Sequence, residues 1–280
     1  MQVIASIVLF NPDIKRLCQN IEAILPQVNE IVVVDNGSKN IVDILEIINV
    51  YSNISFIRND ENLGIATALN QAARFALEHG YDWIITLDQD SVAPKNLVAI
   101  YSLLINETRL GMICCKICDR NFGEKRELRT KTTGVEEVQM CITSASMMNL
   151  EAWKLVGGFS DDFFIDSVDF DICLSMREYG YRIIRANDAV LLHEVGHSKL
   201  RYLFGKEYQI YQHSPLRYYY MVRNGIYLGK RHHFIIRAIY RSLRLFMLVM
   251  LYENDRIAKA KMMGLGYWHT LINKYGKLQY

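Results

Sequence analysis

Residues 3–38 read VIASIVLFNPDIKRLCQNIEAILPQVNEIVVVDNGS, and two hydrophobic periods alternate along this stretch. Val3–Phe10 is a continuous apolar run rich in β-branched residues, which is typical of a strand buried on both faces. Asn11 and Pro12 supply an N-cap and a proline at the first helical position, and apolar residues then recur at spacings of three and four. A second apolar run follows at Glu30–Val34. The stretch therefore predicts a βαβ unit with parallel strands.

The same alternation continues to about residue 105. Further strands are predicted at Ile54–Ile57 and Trp83–Leu87, and helices at Val42–Tyr51, Ala66–Glu78 and Pro94–Ile105. Strands separated by helices of this length favour an α/β fold, a doubly wound and mostly parallel sheet flanked by helices.

The later part of the chain has a different character. Asp119–Glu137 is charged and without a clear period, which indicates a surface loop, and a helix is predicted from about Asp169 to Tyr179. Beyond Gly196 the chain is basic, rich in tyrosine and mostly helical by pattern. We therefore expect an α/β domain at residues 1–200 and a helical basic extension at 201–280.

The charge distribution supports this division. Residues 1–195 carry 17 Lys and Arg against 27 Asp and Glu, whereas residues 196–280 carry 15 against 3. An asymmetry of this size suggests two surfaces with different partners, and nucleic acid or an anionic membrane face would suit the basic part. Met1–Leu9 is apolar but short, and no charged flank precedes it, so no signal peptide is predicted. Leu245–Tyr252 is too short to span a membrane. The six cysteines lack a second pair to complete a zinc site and are expected to be buried reduced thiols.

Three aspartates stand at predicted strand ends, where open parallel sheets bind their ligands. Asp35 closes IVVVD, and Asp88 and Asp90 close WIITLDQD. Two carboxylates so close together repel each other, and a divalent cation would relieve the repulsion. Mg²⁺ or Mn²⁺ takes one or two carboxylates and completes its shell with water and phosphate oxygens. The alternative is that Asp88 and Asp90 only form the turn before Pro94.

Five motifs in this order resemble the family 2 inverting glycosyltransferases of GT-A fold. They are Ser6–Asn11, VDNGS at 34–38, Asn62-Leu63-Gly64 with Asn70, LDQDS at 87–91 and Gly157-Gly158-Phe159. The resemblance covers about residues 1–230, and within the family the chain is similar to bacterial rhamnosyltransferases, whose acceptors are growing surface polysaccharides.

The resemblance implies a role for each matching residue. The backbone around Val8 would cradle the nucleotide, Asp35 would bind its base, and Asn70 would lie near the nucleotide-sugar. Asp88 would sit by the ribose or the metal, and Asp90 would be the principal metal ligand. The alternatives are a capping role for Asp35 and a hydrogen-bonded helix residue for Asn70.

The family's general base stands in an acidic pair before a helix. The matching residues 168–171 read VDFD, so the first acid of the pair is missing, while Asp169 occupies the position of the base. Asp166 could supply the second carboxylate, and capping of the helix is the alternative role for Asp169. His193 ends an apolar run where the family often has a histidine that reaches the metal or diphosphate; its alternative is an ordinary hydrogen-bonded residue.

The basic extension contains an amphipathic pattern. Arg237, Arg241 and Arg244 share one helical face, and the apolar residues assigned to the opposite face are Ile235, Ile239, Leu243, Phe246 and Met250. This is typical of a helix in a membrane interface, although a helix packed on the main domain gives the same pattern.

These features together predict an inverting, metal-dependent glycosyltransferase of bacterial surface polysaccharide synthesis. The resemblance implies rhamnose from dTDP-rhamnose, with UDP-sugars next, a lipid-linked saccharide acceptor, the cytoplasmic face of the membrane, and no nucleic acid. The Gln-x-x-Arg-Trp motif of processive synthases is absent, since Gln212 and Arg217 have the wrong spacing, so one sugar is expected per acceptor.

Two other functions compete with this one. The incomplete acidic pair suggests a silent sugar-nucleotide-binding or scaffold protein at the membrane. An Asp-x-Asp strand end is also found in haloacid-dehalogenase-type phosphatases, but there it follows the first strand, whereas three βα units precede Asp88.

Overall fold

The computed structural model describes residues 2–119, 133–193, 199–203 and 205–279. They form two compact units, one of Met1–Asp161 with Val168–Glu194 and the other of Asp162–Ser167 with Val195–Tyr280. The sequence predicted one boundary at residues 200–201. The final passage between the units lies close to it, but the chain also leaves the first unit at 162–167 and returns.

The first unit contains an eight-stranded sheet with the order β3-β2-β1-β4-β7-β5-β8-β6. Its strands are β1 (Val3–Leu9), β2 (Glu30–Asn36), β3 (Ile54–Asn59), β4 (Trp83–Asp88), β5 (Leu110–Asp119), β6 (Val135–Glu137), β7 (Ser146–Asn149) and β8 (Arg182–His193). The β1–β4 strands pair in parallel, β7 runs antiparallel between β4 and β5, and β8 is parallel to β5. The carboxyl ends of β1, β2, β4, β5 and β8 therefore lie at one edge, which confirms the mostly parallel sheet.

The helices of this unit are α1 (Ile14–Ile24), α2 (Ile41–Ile48), α3 (Ile65–Glu78), α4 (Leu97–Ser102), α5 (Leu150–Leu155) and α6 (Val168–Glu178). The predicted N-cap of α1 was wrong. Asp13 caps the helix, because its carboxylate accepts the N–H of Arg16 at 2.9 Å. Asn11 instead adopts a left-handed conformation with φ of 49°.

The core explains why β1 is apolar at every position. Ala5, Ile7 and Leu9 face one side and pack in the cluster that includes Leu17 and Ile21 of α1. Ile4 and Val8, which face the other side, are buried as well. A strand covered on both faces cannot show polar alternation, as the continuous run predicted.

The structure corrects both ends of the predicted loop at 119–137. β5 continues to Asp119, and Val135–Glu137 forms β6, paired antiparallel with β8. The rest of this region, residues 120–132, lies outside the described residues. The residues of β6 gave no sequence signal, because the strand is short and Val135 is exposed.

The second unit begins with a hairpin of β9 (Lys199–Leu203) and β10 (Lys206–Ile210), which the sequence did not predict. Three helices follow, as expected: α7 (Pro215–Arg231), α8 (Ile235–Tyr252) and α9 (Arg256–Leu271). Their core contains Tyr218, Val222, Ile226, Val249 and Met263. In the described part of the chain, no helix is both long and apolar enough to cross a membrane.

Candidate functional site

Strand register brings three of the predicted site residues together. Val8 lies opposite Val34 on one side and Asp88 on the other, and the next residue of β1 lies opposite Asp35. The two aspartates therefore end strands on either side of β1, at the edge where parallel sheets bind ligands. Val8 is 8% exposed, so it would meet a ligand mainly through its backbone.

The loop after β1 is tied to both neighbouring strand ends. The N–H of Phe10 donates to Oε1 of Gln89 at 2.9 Å, and the N–H of Asn11 donates to Oγ of Ser38 at 2.8 Å. Asn11 in turn accepts the N–H of Lys39 at 2.9 Å. These bonds make one preorganised rim from three separate loops.

Asp35 is completely buried and accepts the N–H of Ser38 at 3.2 and 3.3 Å. Gly37 between them has φ of 82°, and a Cβ there would lie 2.7 Å from the backbone of Glu61. Only glycine fits such a position. These are hydrogen bonds within a turn, since the N-cap residue of α2 is Asn40, and the role of Asp35 toward a base stays a prediction.

Asn36 is a site-supporting residue that the sequence reasoning missed. Its Oδ1 accepts the N–H of Leu63 at 3.0 Å and Nδ2 of Asn59 at 3.1 Å, and its own Nδ2 donates to the carbonyl of Gly64 at 3.1 Å. The side chain thus fixes the Asn62-Leu63-Gly64 loop beside the end of β2. Its place within VDNGS was the only available signal.

The DQDS turn at 88–91 is held from the segment that precedes β7. The N–H of Asp88 donates to Oγ of Ser144 at 3.3 Å, and the hydroxyls of Ser91 and Ser144 lie 2.6 Å apart. Asp88 is half-buried, whereas Asp90 is exposed. Ser144, which is buried, carried no recognisable signal because it lies far from the motif along the chain.

The donor chemistry of this turn suits a divalent cation. Among the described residues no group of three or more His, Cys, Asp or Glu side chains is arranged to hold a metal. Mg²⁺ does not require such a group, because it binds through one or two carboxylates and the phosphates of the substrate. Asp88, half-buried, and Asp90, exposed, are the carboxylates that this turn offers.

Asn70 lies in α3 and holds the Gly157-Gly158-Phe159 turn. Its Oδ1 accepts the N–H of Phe159 at 2.8 Å and Nε1 of Trp153 at 3.2 Å, and its Nδ2 donates to the carbonyl of Phe159 at 2.8 Å. A Cβ on Gly158 would lie 2.8 Å from Oδ1 of Asn70. The alternative of a hydrogen-bonded helix residue describes these contacts, and a contact with the donor stays a prediction.

Asp169 lies in the first turn of α6 and is half-buried. Its Oδ1 accepts the N–H of the neighbouring Phe170 at 3.0 Å. Phe164, Asp166 and Ser167, which precede the helix, have φ of 58°, 67° and 65°. Non-glycine residues seldom adopt these values, which store strain and need support from their surroundings.

Contacts within the second unit, to which residues 162–167 belong, provide that support. Nδ2 of Asn224 donates to the carbonyl of Phe163 at 2.7 Å and to that of Ile165 at 2.5 Å. Nε of Arg217 lies 2.7 Å from Oδ2 of Asp166. Burial raises the pKa of Asp166, and the guanidinium of Arg217 opposes this shift. The structure thus gives Asp166 an arginine partner, while Asp169 belongs to the first unit.

His193 is the last residue of β8 and lies opposite Asp119, the last residue of β5. Its backbone is therefore at the same edge of the sheet as Asp88, but its side chain lies outside the described residues. All six cysteines are free: Cys18 and Cys141 are half-buried, the other four are buried as predicted, and burial raises the pKa of Cys115 to about 12.

Comparison with known proteins agrees with this geometry. Residues 6–173 match the family model for "Glycosyl transferase family 2". The curated protein "dTDP-rhamnosyl transferase RfbF" of Shigella flexneri is 29% identical over 277 residues, which is 92% of each chain.

Solved structures share the fold at low identity. S. aureus TarS in complex with UDP-GlcNAc has a TM-score of 0.60 and 15% identity over 95% of this chain and 80% of its own. GalNAc-T7 with UDP, GalNAc and Mn²⁺ has a TM-score of 0.61 and 15% identity over 82% of this chain, which spans about half (48%) of that longer protein. These likenesses confirm the predicted GT-A-type architecture.

Proposed function

We propose that this protein, which belongs to glycosyl transferase family 2 and is a glycosyltransferase, moves one rhamnose from dTDP-rhamnose onto a saccharide acceptor with inversion. The observation that carries the proposal is the DQDS turn, whose Asp90 is exposed at the carboxyl edge of the sheet. The choice of rhamnose rests on the similarity to the Shigella flexneri relative. The family match favours this function over the phosphatase alternative.

The nucleotide-sugar would lie along the rim formed by the first, second and fourth strands. The backbone at Val8 and the carboxylate of Asp35 would hold the nucleoside, with Asn70 near the sugar. Asp88 and Asp90, together with His193, would hold Mg²⁺ or Mn²⁺, which neutralises charge on the departing diphosphate.

Asp169 is the proposed general base. Its carboxylate takes the proton from one hydroxyl of the acceptor, and that oxygen forms a bond to the anomeric carbon of rhamnose. The bond from this carbon to the diphosphate breaks on the opposite face, so the configuration inverts and dTDP leaves. Asp169 suits this task because it is half-buried rather than enclosed.

The test is release of nucleoside diphosphate by the full chain from dTDP-rhamnose, UDP-glucose and UDP-N-acetylglucosamine, with Mn²⁺ or with a chelator. We expect turnover of dTDP-rhamnose that needs both the cation and a saccharide acceptor. Binding of the nucleotide-sugar without turnover would support the silent binding protein, and turnover of UDP-sugars alone would contradict the donor assignment.

The second unit suggests where the acceptor is met. On α8, Ile236, Tyr240, Leu243 and Met247 recur at helical spacing and are all exposed. Arg237, Arg241 and Arg244, each one residue further along the chain, form a parallel exposed strip. The predicted apolar face is partly different, because Ile235 and Phe246 pack against the helical core.

An apolar strip beside a basic strip fits an anionic membrane surface. Each basic residue near such a surface contributes about 1 kcal/mol, and the apolar side chains add burial in the headgroup region. We therefore place the protein peripherally on the cytoplasmic leaflet, where a lipid-linked acceptor would be presented.

Replacing Arg237, Arg241 and Arg244 with glutamine should release the protein from anionic vesicles in co-sedimentation at low salt. The matched control replaces three exposed lysines of the first unit with glutamine, and it should sediment like the parent; they are Lys15, Lys95 and Lys154. Activity toward a short soluble acceptor should survive both changes. Equal sedimentation of all three proteins would remove the main support for membrane attachment.

A further inference from the structure

The last two helices of the second unit form an antiparallel pair. Three residues connect the end of α8 at Tyr252 to the start of α9 at Arg256. The hydroxyl of Ser242 on α8 donates to the hydroxyl of Tyr267 on α9 at 2.9 Å. Ser242 stands ten residues before Tyr252, and Tyr267 stands eleven residues after Arg256. Contact at nearly equal distances from a short connection is what an antiparallel helix pair requires.

Both helices expose apolar side chains on the same side of this pair. Each residue of an α-helix is turned by about 100° from the one before it. Leu243 directly follows Ser242, and Trp268 directly follows Tyr267. Because the two helices run in opposite directions, equal turns bring these two side chains to the same side of the pair. We call the exposed apolar residues within about 60° of either one the two-helix face: Ile236, Ile239, Tyr240, Leu243, Met247, Ile257, Trp268, Leu271 and Ile272.

The exposed charges of these helices are almost all of one sign. Residues 235–280 carry eight Lys and Arg against two Asp and Glu. Of the two acids, Glu253 is buried, and its Oε2 lies 2.8 Å from Nζ of Lys259, so Asp255 is the exposed one. A surface with this excess of positive charge attracts anions. The exposed basic residues are Arg237, Arg241, Arg244, Arg256, Lys261, Lys274 and Lys277.

Apolar area and charge together select the occupant of the two-helix face. A cluster of exposed apolar side chains marks a contact with protein or lipid. A second copy of this chain would bring two basic surfaces together, and like charges disfavour that contact. An anionic bilayer instead offers opposite charge to the basic residues and acyl chains to the apolar ones. Trp268 and Tyr240 belong to the residue types that favour the bilayer interface.

We propose that the two-helix face lies in the plane of an anionic bilayer, with Trp268 inserted among the headgroups. The proposal rests on the proposed function, which places the protein on the cytoplasmic leaflet. It goes further, because it adds α9 to the contact and fixes which side of the helix pair meets the lipid. Helices bound in this way lie in the interface rather than crossing it. Attachment then needs both the basic residues and the apolar face, and the two contributions can be changed separately.

Trp268 provides a spectroscopic probe of this contact. It is 56% exposed, whereas Trp83 and Trp153, the other two tryptophans, are 6% and 7% exposed. Vesicles of phosphatidylcholine with phosphatidylglycerol should shift the emission of the full chain to shorter wavelength, because the indole leaves water. The same vesicles with brominated acyl chains should quench it. Trp268→Phe should still sediment with the vesicles but show neither change.

A variant that keeps every charge tests the apolar contribution. Ile257→Gln with Leu271→Gln should lower the vesicle partition coefficient by about tenfold, because binding scales with the apolar area that leaves water. The matched control, Val50→Gln with Leu103→Gln, changes two similarly exposed apolar residues of the first unit and should partition like the parent. Both variants should keep the melting temperature of the parent, since the changed side chains are exposed.

Three results would overturn the proposal. They are no sedimentation of the parent with anionic vesicles, sedimentation without a shift or quenching of the Trp268 emission, and partitioning of the Ile257 and Leu271 variant like the parent. A lipid-free dimer of the parent that this variant loses would assign the face to a second copy and overturn it as well. Transfer from dTDP-rhamnose to a short soluble acceptor is measured alongside. Its absence contradicts the proposed reaction and leaves the membrane contact standing.

Discussion

The DQDS turn at 88–91 and the first turn of α6 both present carboxylates, but they are held by different means. The turn is pinned by side chains of its own unit, since Ser144 binds Asp88 and Ser91 and the amide of Asn20 donates to the carbonyl of Asp88 at 2.8 Å. The chain reaches α6 through the segment 162–167 of the second unit, which contains residues with positive φ and is held within that unit by Asn224 and Arg217.

This difference has a physical consequence. A turn satisfied by short hydrogen bonds is preorganised and costs little to keep in place when charge gathers on a ligand. A strained approach to a helix keeps its geometry only while its partners remain. Changes at Asn224 or Arg217 should therefore disturb the segment at 162–167 and leave the DQDS turn in place.

The largest effect is expected from Asp169→Asn. Removal of a positioned base typically lowers the rate by about 10²–10⁴-fold, while metal-dependent nucleotide binding should stay nearly intact. The measurement is transfer rate alongside calorimetric binding of dTDP. Glu178→Gln, which makes the same charge change at the far end of α6, is the control, and near-parent turnover by Asp169→Asn would place the base elsewhere.

Asp90→Ala changes the DQDS turn, the first of the two compared regions, and should affect binding of the donor. We expect weaker binding of nucleoside diphosphate only when Mn²⁺ is present, because the carboxylate holds the cation that the phosphates also bind. Asp82→Ala, an exposed aspartate before the opposite end of β4, should change nothing. An equal loss of affinity with and without a chelator is incompatible with a metal ligand.

Ser144→Ala tests the hydrogen bonds that hold the turn. The change removes the partner of the Asp88 N–H and of the buried Ser91 hydroxyl, which costs about 1–3 kcal/mol. Each kcal/mol lowers the melting temperature by about 2–4 °C in a domain of this size. Thermal unfolding measures the effect, and Ser102→Ala, whose hydroxyl bonds only within its own helix, should be nearly neutral. An unchanged melting temperature would show that the turn does not depend on Ser144.

Arg217→Ala tests the support before α6 and should depend on pH. Burial already raises the pKa of Asp166, and loss of the guanidinium raises it further. The folded state then binds a proton more tightly than the unfolded state, in which the pKa of an aspartate is about 3.9. Stability is therefore lost as the pH rises through the pKa of Asp166 in the folded state. Denaturant unfolding should show a larger penalty at pH 7.5 than at pH 5.

The matched control is the double variant Asp166→Asn with Arg217→Ala. With no carboxylate to bury, its penalty should vary with pH only through His213, whose pKa is lowered by burial and by Arg217, and should therefore vary less than in Arg217→Ala. A pH-independent penalty in Arg217→Ala alone would mean that the arginine acts through packing rather than through its ion pair with Asp166.

Sequence periodicity was sufficient for β1 to β4 and for the first three helices. Each of these elements is buried on both faces or along one stripe, so the spacing of apolar residues records its contacts locally. The place of the motif at 87–91 could also be predicted, because the strand ends at one edge of a parallel sheet meet in space whatever separates them in sequence. The meeting of Asp35 and Asp88 beside β1 followed from that rule.

The β9–β10 hairpin and the short β6 strand could not be predicted from the sequence. The two hairpin strands form a sheet of their own and β6 is a three-residue strand at a sheet edge, so each is too short for a period to distinguish it from a loop. The N-cap of α1 was misassigned for a related reason. Asn11 and Asp13 are both good N-cap residues, and only the path of the backbone before the helix selects one of them.

The family motifs and the fold class were therefore determined by local pattern alone, and the same pattern suggested the proposed site residues. Tertiary structure decided how those residues are held: Ser144 against the DQDS turn, Asn70 against the Gly157–Phe159 turn, and Arg217 against Asp166. Each of these contacts is a polar bond between residues distant in the chain. Such bonds depend on a few atoms meeting at about 3 Å, and unlike the burial of a whole apolar face they leave no repeating pattern in the sequence.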